Sequence, residues 1–337
     1  MAAFSVLQVG VGLWGRSWAE LVARARGFRL AGVVDARPAG REWARSALGV
    51  PVFARLDRAL TAARPDGVLL VSPPETHRGL AEIALAAGSH VLVEKPLAPT
   101  PADAAAIAVA ADRNGRYVVV AQNYRFRRQS RALRQLVRGG ALGSLEAIRI
   151  ECRRDLRAAW VSSRDWRGRM PHPYLLDMAV HHFDLIRAIT GEEVAEVDAR
   201  SWRAPDGPFR FDATVEAILT LADGTPVAYH GTWADSLGRE TSWNGDWEIV
   251  GTKGRATWTG GLRDALRGTV RVAGRPAALP VLPVLDRLAM LHELRDAAEN
   301  GHEPECSARD NLLTLAAVFA AARSTETHGP IRVEPLR

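Results

Sequence analysis

The sequence predicts two domains: an α/β domain with a doubly wound parallel sheet, followed by an α+β domain with a mainly antiparallel open sheet. Its 337 residues exceed what one hydrophobic core usually organises. Up to about residue 120, short apolar runs alternate with amphipathic segments, which is the pattern of βαβ units. Beyond Asn123, strand-like alternation is punctuated by glycine-containing turns. We therefore divide the chain into residues 1–123 and 124–337.

The first domain is predicted to alternate five strands with five helices. The strands are Val6–Gly10, Leu30–Val34, Gly67–Val71, His90–Val93 and Tyr117–Ala121. The helices are Leu13–Arg26, Gly40–Leu48, Leu56–Ala63, Leu80–Ala87 and Pro101–Asn114. Parallel strands that are covered by helices on both faces follow from this order.

The second domain is predicted to combine seven strands with four helices. The strands are Leu145–Arg153, Glu196–Trp202, Thr214–Leu221, Pro226–Trp233, Trp243–Val250, Arg255–Thr259 and Thr269–Val272. The helices are Ser130–Arg138, Leu175–Thr190, Val284–Asn300 and Ser307–Thr325. Turns at Asp223-Gly224 and at Thr252-Lys253-Gly254 predict hairpins, so this sheet should be mainly antiparallel.

Composition is that of an ordinary globular protein, with 47% hydrophobic and 24% charged residues. The sequence has no apolar run of membrane-spanning length and no signal-peptide pattern, so we expect a cytoplasmic protein without a membrane partner. Cys152 and Cys306 lie far apart, which argues against a disulfide framework or a structural zinc site and predicts buried or inert thiols.

The net charge of +6 is spread along the chain. The densest basic stretch places four arginines at helical spacing, Arg127, Arg131, Arg134 and Arg138. We interpret this stretch as a solvated helix face rather than a nucleic-acid surface. Among 44 basic residues only Lys95 and Lys253 are lysines, so a lysine at a defined structural position draws attention.

A glycine loop, Gly10-Val11-Gly12-Leu13-Trp14-Gly15, lies between the first strand and the first helix. In that context Gly10 permits a tight turn, Gly12 lets the backbone approach a pyrophosphate, and Gly15 lets the helix pack closely on the strand. The amides at the helix N-terminus would then face the phosphates. The loop predicts a dinucleotide site.

The second strand ends in Asp35, which is placed to hold the hydroxyls of a ribose. A carboxylate would repel the 2′-phosphate of NADP, so Asp35 predicts NAD as the cofactor. Arg37 and Arg41 leave NADP open, because a nearby arginine can accommodate that phosphate.

Two further strands end in Ser72-Pro73-Pro74-Glu75-Thr76-His77 and in Glu94-Lys95-Pro96. Ligands of doubly wound sheets bind at the carboxyl ends of the strands, so both segments should point into the cofactor cleft. Lys95 could hydrogen-bond a substrate hydroxyl and stabilise developing alkoxide charge, whereas its alternative is a surface lysine. We interpret His77 as a helix cap or a cofactor neighbour.

A third motif, in the helix predicted at Leu175–Thr190, contains Asp177, His181 and Asp184. Spacings of four and three residues place these side chains on one stripe of an α-helix, with His182 pointing away. A histidine beside a carboxylate suits a general acid/base, whereas the alternative is a structural pair. A metal site from Asp177, His181 and His172 is less favoured, so we expect no metal.

These motifs, in this order, resemble the Gfo/Idh/MocA family (glucose-fructose oxidoreductase, inositol dehydrogenase and rhizopine catabolism proteins) over nearly the whole chain. The matching segments are the glycine loop, Ser72 to His77, Glu94 to Pro96, Asn123 to Phe126, Asp165 to Arg167, Asp177 to Asp184 and the last alanine-rich helix. The resemblance implies an N-terminal Rossmann domain and a C-terminal domain that binds substrate and forms subunit contacts, in a homodimer or homotetramer.

The resemblance also implies the composition of the site. Lys95, Asp177 and His181 would be catalytic and would contact the substrate. Besides the loop residues, Asp35, Arg37 and Lys95, the cofactor site would include Ser72, Pro73, Pro74, His77, Glu94, Asn123 and Trp166. The substrate site would add Arg125, Trp166, His172 and Tyr174. The last two stand where relatives often carry a glycine-rich stretch, and Ala179 replaces a common glycine, so we expect a reshaped pocket.

The implied activity is NAD(P)-dependent oxidation or reduction of a secondary alcohol on a sugar, a cyclitol or a related polyol. Two alternatives remain open. The first is NAD-assisted glycoside cleavage, in which transient oxidation of a sugar permits elimination. The second is a non-catalytic protein that senses the cofactor and regulates another process.

Overall fold

The computed structural model describes residues 3–156, 166–203, 209–235 and 238–336. These residues form two compact units. The first contains the described residues up to Gln122 together with Arg287–Leu312. The second contains Asn123–Asp286 and Leu313–Leu336. Within the described part of the chain, no helix has the length and apolar character needed to cross a membrane.

The first unit is built on a six-stranded sheet. Its strands are β1 (Phe4–Val9), β2 (Phe28–Val34), β3 (Val52–Phe53), β4 (Gly67–Leu70), β5 (His90–Val93) and β6 (Val118–Val120). They pair in parallel in the order β3-β2-β1-β4-β5-β6, which confirms the doubly wound sheet. The sequence did not predict β3, because two half-buried residues carry no usable periodicity.

Five helices connect these strands: α1 (Leu13–Arg24), α2 (Pro38–Leu48), α3 (Leu56–Ala63), α4 (His77–Ala86) and α5 (Pro101–Asn114). Local chemistry explains the bounds of α5. The Thr100 hydroxyl accepts a hydrogen bond from the Asp103 amide, Pro101 occupies the first turn, and Gly115 ends the helix in a left-handed conformation at φ 57°.

The second unit is built on a nine-stranded sheet that is not closed into a barrel. Its strands are β7 (Leu145–Arg153), β8 (Val194–Trp202), β9 (Thr214–Leu221), β10 (Pro226–Thr232), β11 (Asp246–Gly251), β12 (Gly254–Thr259), β13 (Thr269–Val272), β14 (Arg275–Pro276) and β15 (Ile331–Arg332). Their order is β14-β13-β12-β11-β7-β10-β9-β8-β15. β7 and β10 run parallel and the other neighbours antiparallel, which confirms the mainly antiparallel sheet.

The remaining helices are α6 (Arg128–Arg138), α7 (Trp166–Arg169), α8 (Val180–Thr190), α9 (Asp286–Asn300) and α10 (Ala308–Thr327). A π-helical turn, Leu175–Ala179, leads directly into α8. The helix predicted at Leu175–Thr190 therefore begins with a wider turn than an α-helix has. The single stripe that we predicted for Asp177, His181 and Asp184 assumed α-helical spacing throughout, whereas Asp177 lies in the π turn and His181 and Asp184 lie in α8.

The predicted solvated arginine face is also wrong at its first residue. Arg127 precedes α6 and is only 5% exposed. At the other end of the stretch, Arg138 donates hydrogen bonds to the carbonyls of Arg187 and Ala188 in the last turn of α8. Arg127 is therefore an interior residue of the second unit, whereas Arg138 is exposed and binds the end of α8.

Part of the C-terminal half of the chain packs on the first sheet. The side chain of Leu294 in α9 lies with Phe4 against Gly67. The ring of His292 meets Phe28 edge-on, with 5.3 Å between centroids. At the sheet edge the Val120 amide donates to the carbonyl of Cys306. These contacts explain why Arg287–Leu312 belongs to the first unit.

Candidate active site

The three glycines of the loop in the first unit differ in what a side chain would meet. Gly10 has φ 89°, and a Cβ there would lie 2.5 Å from the carbonyl oxygen of Val71. A Cβ on Gly15 would lie 2.4 Å from the carbonyl oxygen of Gly10. At Gly12 the nearest atom would be Arg37 Nη2, at 3.9 Å. The space beside Gly12 is open, which fits the close approach of a dinucleotide pyrophosphate.

A buried glutamine on β1 forms hydrogen bonds with the backbone of the glycine loop. Gln8 is fully buried, and its amide nitrogen donates to the carbonyls of Gly10 at 2.9 Å and Gly15 at 2.7 Å. The carbonyls of Gly10 and Gly15 are therefore satisfied within the protein. The sequence analysis did not single out Gln8, although a polar residue inside an otherwise apolar strand could have indicated it.

Asp35 is held by its neighbours at the end of β2. Its carboxylate accepts hydrogen bonds from the amides of Val11 and Arg37, and it forms a bidentate pair with the Arg37 guanidinium. Burial alone would raise the pKa of Asp35, but the hydrogen bonds from Arg37 and Val11 outweigh it and hold the pKa below its usual value. Asp35 is therefore ionised at neutral pH, and the exposed cation of Arg37 partly offsets its charge.

Glu94 connects the lysine segment to the glycine loop. Glu94 Oε1 accepts hydrogen bonds from the indole nitrogens of Trp14 at 2.8 Å and Trp18 at 2.7 Å, and Oε2 accepts the Lys95 amide at 3.1 Å. The guanidinium of Arg287 lies over both indole rings, at 4.6 and 5.2 Å from their centroids. The backbone at Lys95 is thereby fixed relative to the first turn of α1.

His77 ties two strand ends of the first unit together. It is fully buried, its Nε2 lies 2.9 Å from the carbonyl oxygen of Ser72, and its Nδ1 lies 3.1 Å from that of Pro96. Burial lowers the pKa of His77 despite these carbonyls. The contacts favour a bracing role. The predicted helix cap is wrong, because His77 is the first residue of α4 and no side chain caps that helix, whereas the role of cofactor neighbour stays a prediction.

In the second unit, the predicted residues Asp177 and His181 lie at the junction of the π turn and α8. Asp177 and His181 are 6% and 4% exposed. The imidazole of His181 stacks on the phenol ring of Tyr124, with centroids 4.1 Å apart and planes within 6°. The guanidinium carbon of Arg127 lies 3.4 Å from the centroid of the same Tyr124 ring. Sequence reasoning missed both Tyr124 and Arg127, because no spacing rule relates them to the distant helix.

Arg125 and Asp184 form a buried ion pair instead of facing solvent. Both nitrogen–oxygen distances of the bidentate pair are 2.6 Å, and Thr314 Oγ1 donates to the same carboxylate at 3.1 Å. The side chains are 5% and 1% exposed. A pair of this kind fixes the segment after Asn123 on α8. Asp184 therefore anchors Arg125, the residue that we predicted as a substrate contact.

Tyr174 lies in the core of the second unit. It is fully buried, and its hydroxyl donates to the carbonyl of Cys152 at 3.1 Å. Tyr229 lies 3.4 Å away and contacts His182 Nδ1 at 2.8 Å, while His182 Nε2 contacts the Trp243 carbonyl at 3.1 Å. Burial lowers the pKa of His182 to about 4, so this imidazole is neutral. Its Nε2 then donates to the carbonyl, and its Nδ1 accepts from Tyr229.

Two predicted site residues before the π turn, His172 and Trp166, are partly exposed. His172 has a left-handed φ of 45°, and its Nε2 lies 3.1 Å from a carboxylate oxygen of Glu326. Trp166 begins α7 and is partly exposed, while Asp165 falls outside the described residues.

No group of three histidine, cysteine or acidic side chains in the described ranges could hold a metal ion, so the alternative site from Asp177, His181 and His172 is not formed there.

Two family models match successive parts of the chain. Residues 4–122 match an oxidoreductase family with an NAD-binding Rossmann fold. Residues 130–257 match the GFO/IDH/MocA C-terminal domain. Together the two matches span most of the chain and follow the two sheets described above.

Similar proteins extend the match to nearly full length. D-apiose dehydrogenase from Paraburkholderia graminis is 26% identical, over 97% of this chain and 89% of its own length. Inositol 2-dehydrogenase from Rhizobium meliloti is 28% identical, over 94% of this chain and 95% of its own. The fold matches scyllo-inositol dehydrogenase from Lactobacillus casei, solved with NAD(H) and scyllo-inositol, at a TM-score of 0.79 and 23% identity over 98% of this chain and 99% of that one. The protein belongs to the GFO/IDH/MocA family of oxidoreductases, and its first unit is an NAD-binding Rossmann domain.

Proposed function

We propose that the protein is a dehydrogenase or reductase that transfers hydride between a secondary alcohol of a sugar, cyclitol or related polyol and a nicotinamide cofactor. The observation that carries the proposal is that one chain contains an NAD-binding unit, with Lys95 just past the end of β5, and a second unit that buries Asp177 and His181 near the start of α8. The names of the relatives that act on apiose and inositol support the same substrate class.

The roles follow from the chemistry of each side chain. Oxidation of a carbinol removes one hydride from carbon and one proton from oxygen, and the bound nicotinamide supplies the hydride acceptor. We assign the proton to the imidazole of His181, which Asp177 orients. We assign to Lys95 the stabilisation of negative charge on the oxygen as the proton leaves. In the reductive direction the same groups return the proton.

The cofactor preference belongs to this proposal. The ionised Asp35 favours the ribose hydroxyls of NAD. Its bidentate pair with Arg37 offsets part of that charge, and the Arg37 side chain is 65% exposed, so the site also offers a cation to a 2′-phosphate. We propose NAD as the preferred cofactor and NADP as a usable one.

The test is a spectrophotometric screen of sugars and cyclitols, with NAD and NADP supplied separately. We expect at least one polyol to reduce NAD, and Lys95→Ala to lower kcat/KM by a factor of at least about 100, since it removes a group that stabilises transition-state charge. Lys253→Arg is the matched control. If neither cofactor were reduced by any polyol while binding stayed intact, the dehydrogenase function would be wrong.

The same screen separates the two alternatives. Glycoside cleavage by transient oxidation would release product from a glycoside without accumulation of free NADH. A cofactor-sensing protein would bind NAD without turnover, and Lys95→Ala would not change its affinity for NAD. Accumulation of NADH that requires Lys95 supports the proposed dehydrogenase over both.

A further inference from the structure

We propose that Tyr124 and Arg127 are positioning residues that hold the imidazole of His181 in the plane in which it transfers a proton. The inference rests on the proposed function, because it needs His181 to be the proton-transfer group. Neither residue belongs to the lysine, aspartate and histidine set that the resemblance assigns to catalysis, although Tyr124 lies in the matching segment Asn123 to Phe126.

The three side chains form one stack inside the second unit. The His181 and Tyr124 rings are parallel within 6° at a centroid distance of 4.1 Å, so the imidazole covers one face of the phenol. The Arg127 guanidinium carbon lies 3.4 Å from the same phenol centroid. Two groups this close cannot share one ring face, so Arg127 lies on the face opposite His181. Tyr124 is thus held between a cation and the imidazole.

Arg127 is itself fixed, which makes the stack rigid. Its Nε donates to Asp286 Oδ2 at 2.9 Å, and its Nη1 donates to the side-chain oxygen of Asn244. The other carboxylate oxygen of Asp286 accepts a hydrogen bond from the side-chain amide nitrogen of Asn123. Asp286 adopts a left-handed φ of 52°, a conformation that aspartate tolerates better than most residues. These contacts leave the guanidinium little freedom to rotate away from Tyr124.

The consequence for His181 is geometric. Histidine side chains rotate broadly about χ2, so an imidazole without a support would sample many ring planes. A parallel aromatic surface at van der Waals distance selects one plane and closes one face, which leaves the ring edge, with its two nitrogens, for hydrogen bonding. Misplacement of a reacting group by about 1 Å can lower a rate by about 100-fold. Loss of the aromatic support of His181 should therefore lower kcat.

A neighbouring pair provides a matched control. The guanidinium of Arg131 lies 4.6 Å from the ring centroid of Phe126, so the same segment contains a second cation–aromatic contact. Phe126 and Tyr124 are 9% and 8% exposed, respectively. Removal of either ring should cost similar core packing, whereas only Tyr124 stacks on His181.

The experiment compares Tyr124→Leu, Tyr124→Phe and Phe126→Leu in the full-length protein. For Tyr124→Leu we expect kcat to fall by about 10- to 100-fold while KM changes by less than about threefold. Tyr124→Phe, which keeps the ring, should restore kcat to within about threefold of the wild type. Phe126→Leu should lose comparable thermal stability and keep kcat. Arg127→Lys keeps the charge but not the planar guanidinium, so its kcat should lie between those of Tyr124→Leu and Tyr124→Phe.

Two results would overturn the inference. One is equal loss of kcat in Tyr124→Leu and Phe126→Leu, which would mean that only core packing matters. The other is unchanged kcat in Tyr124→Leu while His181→Asn is inactive, which would leave the proposed function intact and remove the positioning role.

A spectroscopic measurement keeps the inference testable without activity. In protein labelled at histidine, the ring current of Tyr124 should shift the carbon-bound ring protons of His181 upfield, with His181→Asn giving the assignment. The shift should disappear in Tyr124→Leu and persist in Tyr124→Phe and Phe126→Leu. If no polyol were oxidised but this pattern held, the proposed function would fail and the stack would stand. An unaltered His181 signal in Tyr124→Leu would refute the stack itself.

Discussion

The three glycines of the cofactor loop differ in what a methyl group would meet, so they should respond differently to alanine. At Gly12 the nearest atom to a new Cβ is 3.9 Å away, whereas at Gly15 a backbone carbonyl is 2.4 Å away. We expect Gly12→Ala to fold normally and to weaken NAD binding by about tenfold or more, since the methyl occupies space that a phosphate needs. Calorimetric titration of NAD and thermal unfolding measure the two effects.

Gly15→Ala should instead affect folding stability more than NAD binding. Its methyl would force the backbone of the loop to move, so we expect a loss of about 1–3 kcal/mol in unfolding free energy. Gly79→Ala in α4, where a Cβ meets nothing within 4 Å, is the control that should leave NAD binding intact and raise stability by up to about 1 kcal/mol, since alanine favours a helix. Equal binding losses in Gly12→Ala and Gly79→Ala would contradict this account of the loop.

At the residue scale, the sequence could predict groups that obey a local spacing rule. The glycine loop and Asp35 lie at fixed distances from the strands that present them, and the structure places Asp35 within hydrogen-bond distance of the loop amide of Val11. Tyr124 could not be found in this way, because its partner His181 is 57 residues away and the contact depends on tertiary packing. The ionic partner of Arg125, Asp184, is hidden for the same reason.

At the scale of elements, the π turn shows the limit of helical periodicity. Residues from Val180 to Ile189 are all buried, so the segment has no polar face from which a period could be read. A wider turn adds a residue without changing composition, and sequence reasoning therefore assigned one uniform α-helix. Long strands with clear alternation were easier, and β7 and β9 have the predicted bounds.

The strand that faces Tyr174 should not tolerate a side chain at Gly231. A Cβ on Gly231 of β10 would lie 2.1 Å from the Tyr174 ring, which is fully buried and held by its hydroxyl on Cys152. We expect Gly231→Ala to lower the unfolding free energy by about 1–3 kcal/mol through overpacking. Urea unfolding provides the measurement. Gly254→Ala in β12, with nothing within 4 Å of a Cβ, is the matched control, and a similar loss there would contradict the clash.

At the scale of the whole molecule, the buried His182 predicts how stability depends on pH. Its pKa in the folded chain is about 4, below the ordinary value of 6.5, because burial disfavours the imidazolium. As the pH falls below 6.5 the unfolded chain takes up this proton first, so stability is lost between about pH 6.5 and pH 4. At pH 5 this group should cost roughly 2 kcal/mol relative to pH 7.5.

His182→Gln isolates this contribution from those of other groups. The variant should be less stable than the wild type at pH 7.5, because its amide replaces the imidazole contacts imperfectly. The difference in urea midpoint should shrink at pH 5, where only the wild type must keep a buried imidazole neutral. A wild-type and His182→Gln difference that is constant with pH would contradict the assigned pKa.

The scarcity of lysine makes the role of Lys95 testable by chemistry on the whole protein. Only Lys95 and Lys253 carry side-chain amines among 44 basic residues, and Lys253 lies exposed in the turn between β11 and β12. Acetylation removes the charge of a lysine and leaves every arginine unchanged. We expect acetic anhydride to abolish polyol oxidation in step with modification of Lys95, followed by peptide mass spectrometry. Lys253→Arg should be inactivated at the same rate, and NAD with substrate should slow the loss. Full activity in protein acetylated at Lys95 would refute its assigned role.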